Sequence, residues 1–190
     1  NPVFLNAIVK SKIERYRALR RSMYHDSLTG LLNHTSTKTA LDAALTQTQK
    51  EKVPLAVAML DIDYFKKVND TYGHPVGDQI IRSVAWLLKQ RLRKHDIVGR
   101  YGGEEFVVGL VGASAEQAAA VINRIRQDFA LIEHPYRETR FNITFSAWVA
   151  DSLAFASVDD LVNAADEALY VSKRGGRNRV STAAVEEVPG

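Results

Sequence analysis

The chain has 190 residues, of which 46% are hydrophobic and 25% are charged, a balance that is ordinary for a soluble globular protein. Its formal net charge is +3, and the body of the chain has no dense tract of Lys or Arg, so nucleic acid is not an expected partner. There is no cysteine, which excludes disulfides and cysteine-bound zinc and fits a cytoplasmic location.

The ends of the chain and its apolar runs bear on its relation to a membrane. No apolar run is long enough to cross a bilayer, and no signal peptide is recognisable. The chain begins with Asn1 rather than Met, so we expect it to be cut from a longer protein. Membrane attachment is then expected only through a possible upstream region.

Residues 3–24 predict a helix, because apolar side chains recur at steps of three and four residues with Lys and Arg between them. Few of these side chains are suited to the core of the domain that follows. We interpret residues 1–24 as a helical stalk that leads in from an upstream region and pairs with its twin in a short coiled coil. The alternative is a helix packed on its own domain. The apolar positions are Leu5, Val9, Ile13, Tyr16, Leu19 and Met23.

Residues 25–181 predict a single α/β domain, and residues 182–190 a disordered tail. Residues 55–60 are continuously apolar, which is typical of a central strand covered on both faces. The order of elements favours a mixed central sheet flanked by helices, with the ferredoxin-like core of nucleotidyl cyclases and polymerase palms, over a doubly wound sheet. Strands are predicted over residues 55–60, 97–101, 106–111 and 141–149, and helices over residues 36–49, 78–93, 115–131 and 158–172.

Two acidic clusters follow or interrupt β-prone runs. In Arg100-Tyr-Gly-Gly-Glu-Glu-Phe106 a glycine pair precedes two carboxylates, which predicts a hairpin with acids at its tip. Asp61 and Asp63 end the central strand, where side chains two residues apart project to one face. Because Mg²⁺ binds carboxylate oxygens together with substrate phosphates, the two clusters predict a divalent metal that holds a nucleotide. The alternatives are Asp side chains that cap a turn and acids that only decorate a surface hairpin.

Basic and amide side chains near these acids are candidates for nucleotide contacts. Lys66 follows the strand end closely, where a cation can bind triphosphate oxygens. Asn69 and Asp78 offer an amide and a carboxylate, a pair suited to the edge of guanine. Lys173-Arg-Gly-Gly-Arg177 either clamps phosphates or complements the dipole of the preceding helix. The chain lacks the Gly-x-x-x-x-Gly-Lys-[Ser/Thr] pattern, so it is not a P-loop protein.

Together, three long motifs resemble those of the GGDEF family of diguanylate cyclases, in its GGEEF variant, with the family's order and spacing. They are Asp26-Ser-Leu-Thr-Gly-Leu-Leu-Asn33, Asp61-Ile-Asp-Tyr-Phe-Lys-Lys-Val-Asn-Asp-Thr-Tyr-Gly-His-Pro-Val-Gly-Asp78 and Arg100-Tyr-Gly-Gly-Glu-Glu-Phe106. Lys173-Arg-Gly-Gly-Arg-Asn178 resembles the closing motif of the family, and the similarity covers residues 25–180. Two departures are His34, where the family usually has Arg, and Trp148, where it usually has Gly.

The resemblance implies an enzyme that condenses two GTP molecules into cyclic di-GMP and releases two pyrophosphates. Each subunit would hold one GTP, so the active form is implied to be an antiparallel homodimer. Mg²⁺ or Mn²⁺ is implied to be bound by Asp61, Glu104 and the Ile62 carbonyl, with Glu105 in support. Glu104 is the implied base for the 3′-hydroxyl, and Asp61, Glu104 and Glu105 are the implied catalytic residues. The implied substrate contacts are Asn69, Asp78 and nearby His74 for guanine, and Lys66, Lys173 and Arg177 for phosphates.

Arg93 and Asp96 are three residues apart, which by itself is typical of an ion pair at a helix end. The resemblance implies instead that they form an inhibitory site for cyclic di-GMP, with Arg124 as a secondary arginine that acts across the dimer. Two other functions stay open. One is a cyclase-like domain that has lost turnover and acts only as a receptor for cyclic di-GMP. The other is a cyclase that makes a monomeric cyclic nucleotide.

Overall fold

The computed structural model of the chain describes residues 1–183. The helices are α1 (Pro2–Tyr24), α2 (His34–Glu51), α3 (Phe65–Tyr72), α4 (His74–Arg91), α5 (Ala115–Ala130) and α6 (Val158–Arg174). The strands are β1 (Leu55–Ile62), β2 (Ile97–Arg100), β3 (Glu105–Val111), β4 (His134–Tyr136), β5 (Thr139–Phe141), β6 (Phe145–Asp151) and β7 (Val180–Thr182).

Five strands form the central sheet in the order β2-β3-β1-β6-β7. β1 runs antiparallel to β3 and to β6, and β7 runs parallel to β6, so the sheet is mixed. All eight residues of β1 are buried, because helices cover the sheet on both faces. The prediction of a mixed sheet flanked by helices, with a covered central strand, is confirmed.

Alternate residues of β1 face two separate cores. Leu60 packs in the core that contains residues of α4 and α5, whereas Met59 packs in the core that contains residues of α2 and α6. Trp148, at the position where the family usually has Gly, is buried in the second core with its ring edge-on to Phe155 at 5.9 Å. These two cores fix β1 from both sides, so the end of the strand at Asp61 is held rigidly.

The predicted N-terminal helix is present as α1, and none of its residues is buried. Asn1 caps it by accepting a hydrogen bond from the backbone N–H of Val3 at 3.1 Å. The apolar side chains on α1 are exposed, including Val9 at 47% and Ile13 at 45%. The helix therefore does not use them to pack on its own domain, and the coiled-coil pairing stays a prediction. No helix within residues 1–183 is long and apolar enough to cross a membrane.

Two predicted element boundaries inside the domain are wrong, and one helix was not predicted. The strand predicted over residues 141–149 is interrupted, because the side chain of Asn142 donates to the carbonyls of Ala130 and Ile132, both at 3.0 Å, before β6 begins. The helix predicted from residue 78 begins four residues earlier, with Pro75 in its first turn, where no N–H is needed. The sequence pattern does not predict α3, because its eight residues include several turn formers.

The boundary at the C-terminal end also differs from the prediction. β7 pairs with β6 through Thr182, so the predicted disordered tail of residues 182–190 overlaps a strand at its first residue. Local sequence gives no signal for this strand, because its pairing partner lies more than thirty residues earlier. Residues 184–190 of the predicted tail lie outside the described part of the chain.

Candidate active site

The ends of β1 and β3 bring the predicted acidic residues together. Asp61 lies directly opposite Glu105 in the antiparallel register, so their side chains share one face of the sheet. The N–H of Ile62 donates to the carbonyl of Glu104 at 3.2 Å, which continues the pairing beyond the strand. Glu104 comes immediately before β3, outside the regular alternation of that strand, and it lies close enough to Asp61 for the two charges to interact.

The surroundings of these carboxylates disfavour their charged forms. Burial raises the pKa of Asp61; the ion pair with Lys173, at 2.8 Å, opposes the rise, and nearby carboxylates add to it. Burial also raises the pKa of Glu104 and of Glu105, and the charge of Asp61 raises both further. Groups shifted in this way by burial and mutual repulsion are typical of a functional site.

The donor set fits a divalent cation that a substrate helps to hold. The Oδ1 atom of Asp61 is buried and has no hydrogen-bond partner among residues 1–183. In that part of the chain, no three acidic or histidine side chains stand close enough to form a complete metal cage. Mg²⁺ commonly takes only one or two carboxylates and completes its shell with phosphates and water. The residues present therefore fit a metal bound together with a nucleotide.

A pocket of about 480 Å³ joins the metal candidates to the phosphate candidates. Its lining includes Ile62 and Glu104 from the strand ends, Lys66 from α3, and Lys173 and Arg177 from the end of α6 and the loop after it. Five of the predicted site residues therefore border one opening. Lys173 forms an ion pair with Asp61 in this structure, so it can bind phosphates only if that ion pair opens.

Asp63 does not share the role predicted for the strand-end acids. It is fully buried, and its oxygens accept from the hydroxyls of Thr144 at 2.7 Å and Ser146 at 2.8 Å. A third bond comes from the backbone N–H of Asn178 at 3.0 Å. With both oxygens engaged, Asp63 joins β1 to β6 and to the loop after α6. The expectation that Asp63 joins Asp61 at a metal is therefore wrong.

The tip of the hairpin is tied to the turn that follows α1. The Arg100 guanidinium donates to the carbonyl of Gly103 at 2.9 and 3.1 Å and to the carboxylate of Asp26 at 3.1 Å. Asp26 also accepts from the N–H and hydroxyl of Thr29. These partners outweigh burial and lower the pKa of Asp26. The first and third motifs of the sequence therefore form one structural unit that holds the glycine pair.

His34, the other departure from the family pattern, supports the same hairpin. Its Nδ1 lies 2.9 Å from the carbonyl oxygen of Tyr101, and the two rings lie 4.0 Å apart. It therefore packs at the base of the tip without lining the acidic pocket.

The guanine candidates meet where α3 joins α4. A Cβ at Gly77 would lie 2.0 Å from Oδ1 of Asn69, so only glycine allows the Asn69 amide to lie against the first turn of α4. Gly77 lies within the first turns of α4 and permits this close approach. Oδ1 of Asn69 is buried and has no partner within residues 1–183. Asp78 follows Gly77 on α4, and His74 begins that helix with an exposed side chain.

The residues of the predicted inhibitory site lie away from this pocket. Asp96 accepts from the backbone N–H of Arg93 at 2.8 Å, and the side chains of this pair form no ion pair in the described structure. Arg93 is exposed. Arg124 lies on α5 in a groove with Arg91, which pairs with Asp128 at 2.7 Å. No described contact joins Arg124 to Arg93 or Asp96.

Four residues in the pocket were not identified from the sequence. They line it beside Lys66 and are Tyr64, Phe65, Lys67 and Asp70. Lys67 and Asp70 are three residues apart on α3, and so this helical spacing was the available signal. It was missed because α3 itself was not predicted. Nothing local identifies Tyr64, because its partner lies more than a hundred residues further along the chain.

Comparison with known proteins assigns the chain to a family. The family described as "Diguanylate cyclase, GGDEF domain" matches residues 23–179. The chain therefore belongs to the GGDEF family, and the resemblance seen in its motifs is confirmed. Diguanylate cyclase A of Treponema denticola is 43% identical over 133 residues, which are 70% of this chain and 36% of that protein. The response regulator PleD of Caulobacter vibrioides is 34% identical, over 95% of this chain and 42% of its own length.

Solved structures agree with this assignment. The coiled coil and GGDEF domain of DgcB from Caulobacter crescentus, in complex with cyclic di-GMP, superposes with a TM-score of 0.84 at 35% identity. That comparison covers 94% of this chain and 95% of the DgcB chain. The active GGEEF domain of a diguanylate cyclase from Vibrio cholerae has a TM-score of 0.73 at 34% identity, over 80% of this chain and 97% of that one. The chain thus spans less than half of the two curated relatives named above but nearly all of these domain structures.

Proposed function

We propose that this chain is the catalytic domain of a diguanylate cyclase that condenses two GTP into cyclic di-GMP and releases two pyrophosphates. One observation carries the proposal: Ile62 and Glu104 border the same pocket as Lys66, Lys173 and Arg177, beside the unpartnered oxygen of Asp61. A site for a metal-bound triphosphate needs acidic and basic groups side by side in this way. The relatives named as diguanylate cyclases support the same reaction.

Asp61, the Ile62 carbonyl and Glu104 would hold Mg²⁺ or Mn²⁺, with Glu105 in support. The bound metal would supply Lewis-acid stabilisation of charge on the α-phosphate. Lys173 would leave Asp61 and, with Lys66 and Arg177, hold the phosphates in line. Glu104 would accept the proton of the 3′-hydroxyl, whose oxygen attacks the α-phosphorus of the other GTP as pyrophosphate leaves. Burial and the charge of Asp61 raise the pKa of Glu104, which makes its carboxylate a stronger proton acceptor.

Asn69 and Asp78 would read guanine, with His74 at the edge of the same subsite. An aspartate accepts from the N1–H and N2–H of guanine, and the unpartnered Oδ1 of Asn69 offers a further acceptor, while its amide can donate to guanine O6 or N3. A base that lacks these donors would leave buried polar groups unpaired, which is strongly unfavourable. This supports GTP over ATP as the substrate.

The reaction requires two GTP molecules that face each other, so the active form would be an antiparallel homodimer. The exposed apolar positions of α1 support a coiled coil between two copies. The coiled coil in the DgcB structure supports the same arrangement. GTP as substrate fits a cytoplasmic catalytic domain, which a longer protein could attach to a membrane upstream.

The product would also inhibit, by binding Arg93 and Asp96, with Arg124 contributed across the dimer. The Arg93 guanidinium has no ion-pair partner in the described structure, so it is free to bind phosphate and guanine. Arg93→Ala should raise the amount of product that accumulates and weaken inhibition by added cyclic di-GMP. Unchanged sensitivity to cyclic di-GMP in this variant would rule out the assignment.

The decisive test is turnover of GTP with Mg²⁺, followed by chromatography of the nucleotides, for the wild type and for Glu104→Gln. Cyclic di-GMP from the wild type, and its loss in the variant, would support the proposal. A dimer that binds cyclic di-GMP but forms none would favour the receptor function. Formation of a monomeric cyclic nucleotide would favour the third possibility.

A further inference from the structure

Tyr64 has an unusual backbone conformation next to the pocket. It stands between β1 and α3 with φ 55° and ψ 29°, in the left-handed region that non-glycine residues seldom adopt. Although it is a large aromatic residue, it is 55% exposed. Neither core therefore explains its orientation, and its contacts lie instead with a residue of the pocket.

The side chain of Tyr64 holds the guanidinium of Arg177. The guanidinium carbon lies 4.1 Å from the centroid of the Tyr64 ring, and Nη1 donates to the phenol oxygen at 3.1 Å. Nε of Arg177 is buried and has no partner within residues 1–183. Because guanidinium has five N–H donors, this clamp fixes the group and leaves donors for an anion.

The loop that carries Arg177 is held by the residue before Tyr64. Asp63 accepts from the N–H of Asn178 at 3.0 Å, and Arg126 of α5 donates to the Asn178 side chain at 2.5 Å. Arg177 and Asn178 both have positive φ, at 52° and 47°. Two consecutive residues after β1 thus fix two consecutive residues of the loop. Asp63 holds the backbone, and Tyr64 holds the side chain.

We propose that Tyr64 is a positioning residue, which keeps Arg177 directed into the pocket for the triphosphate of GTP. The inference rests on the proposed function. Tyr64 and Arg177 line the pocket together with Lys66 and Lys173, so a guanidinium held here faces the other cations across the phosphate subsite. An arginine that is already ordered loses less side-chain entropy when the anion binds. The effect belongs to binding, so it appears in KM and not in kcat.

The test compares Tyr64→Leu and Tyr64→Phe with the wild type, in GTP turnover and in binding of a GTP analogue with a methylene group between the α- and β-phosphorus atoms. Leu keeps a side chain of comparable backbone preference but removes both the ring and the hydroxyl. We expect Tyr64→Leu to raise KM and the analogue Kd by about 5- to 20-fold, with kcat within about 2-fold. Tyr64→Phe keeps the ring and should lose only about 2- to 5-fold.

Tyr170→Leu is the matched control. Tyr170 is an exposed tyrosine whose ring carries the guanidinium of Arg174 at 5.1 Å, on α6 and outside the lining of the pocket. It should leave KM and Kd unchanged. In an Arg177→Ala background, Tyr64→Leu should add less than about 2-fold, because a positioning residue acts only through the group it positions.

The outcomes separate this inference from the proposed function. If the wild type forms cyclic di-GMP and Tyr64→Leu binds the analogue as tightly as the wild type, the role of Tyr64 is wrong and the function stands. An equal loss with and without Arg177 would also overturn it, because Tyr64 would then act independently. If the wild type binds the analogue but forms no product, the proposed function is wrong. The ratio of the analogue Kd of Tyr64→Leu to that of the wild type then still decides the role of Tyr64. A wild type that does not bind the analogue would overturn both.

Discussion

Asp61 and Asp63 are two residues apart at the end of the central strand, yet their carboxylates are in opposite situations. Asp63 belongs to an anchor network with Thr144, Ser146 and Asn178, in which every contact satisfies a buried group. Asp61 keeps one buried oxygen without a partner in the described structure, and its pKa is raised by burial. The two carboxylates therefore serve different ends. The anchor network stabilises the fold, whereas a buried oxygen beside the pocket has no partner within residues 1–183, and a bound ligand can supply one.

Asp61→Asn gives the largest effect that this comparison predicts. We expect turnover of GTP to fall by at least about 100-fold, because the variant removes a charged carboxylate from the proposed metal site. Its free energy of unfolding should stay the same or increase, because a buried carboxylate with a raised pKa is replaced by a neutral amide. Turnover assays and urea unfolding measure the two quantities. A large loss of stability would show that Asp61 is also an anchor.

Asp63→Asn is the matched variant and should have the opposite profile. An Asn side chain has one accepting oxygen where Asp has two, so at least one of the donors from Thr144, Ser146 and Asn178 loses its partner. We expect the free energy of unfolding to fall by about 2–4 kcal/mol. Urea unfolding of both variants in the same buffer gives the comparison. A stability equal to that of Asp61→Asn would contradict the division of roles between the two residues.

The sequence predicted the role of Asp61 better than that of Asp63. The continuous apolar run before Asp61 and the glycine pair before Glu104 indicated the positions of both acids, since these signals are local. The partners of Asp63 lie 81 to 115 residues away, and no local period reports such pairing. The same limit applies to Tyr64, whose contact with Arg177 spans 113 residues. Four strands of the sheet were predictable because they are apolar runs, whereas β7 and the cross-connections at the site depend on the finished fold.

The response to pH should differ between the pocket and the turn after α1. The pKa of Glu104 is raised above 4.5, so its contribution to stability is present below that pH and is lost as pH rises through the raised value. The pKa of Asp26 is lowered below 3.8, so its contribution is present above that pH and is lost as pH falls through the lowered value. Glu104→Gln should therefore raise the melting temperature at pH 8 but not at pH 4. Asp26→Asn should lower it at pH 8.

Each shift concerns a partly exposed group, so the expected change is at most about 1 kcal/mol in either direction. Thermal unfolding of both variants and the wild type between pH 4 and pH 8, without divalent metal, measures it. Mg²⁺ should stabilise the wild type at pH 8 more than at pH 4, because protonated carboxyls bind metal poorly. A metal effect that is equal at both pH values would place the binding outside these carboxylates.

Substitutions in the exposed helix α1 should have the smallest effect on the stability of the domain, since none of its residues is buried. Replacing both Val9 and Ile13 by Ser should change the free energy of unfolding of the domain by less than about 0.5 kcal/mol. If α1 pairs two copies, the same variant should shift the molar mass in solution toward the monomer. It should also lower turnover per subunit, because the proposed reaction needs a second GTP opposite the first. Light scattering after size-exclusion chromatography reports the mass, with Lys12→Ser as a control on the same helix. An unchanged mass together with a loss of domain stability would show that α1 packs on its own domain, which was the alternative for this segment.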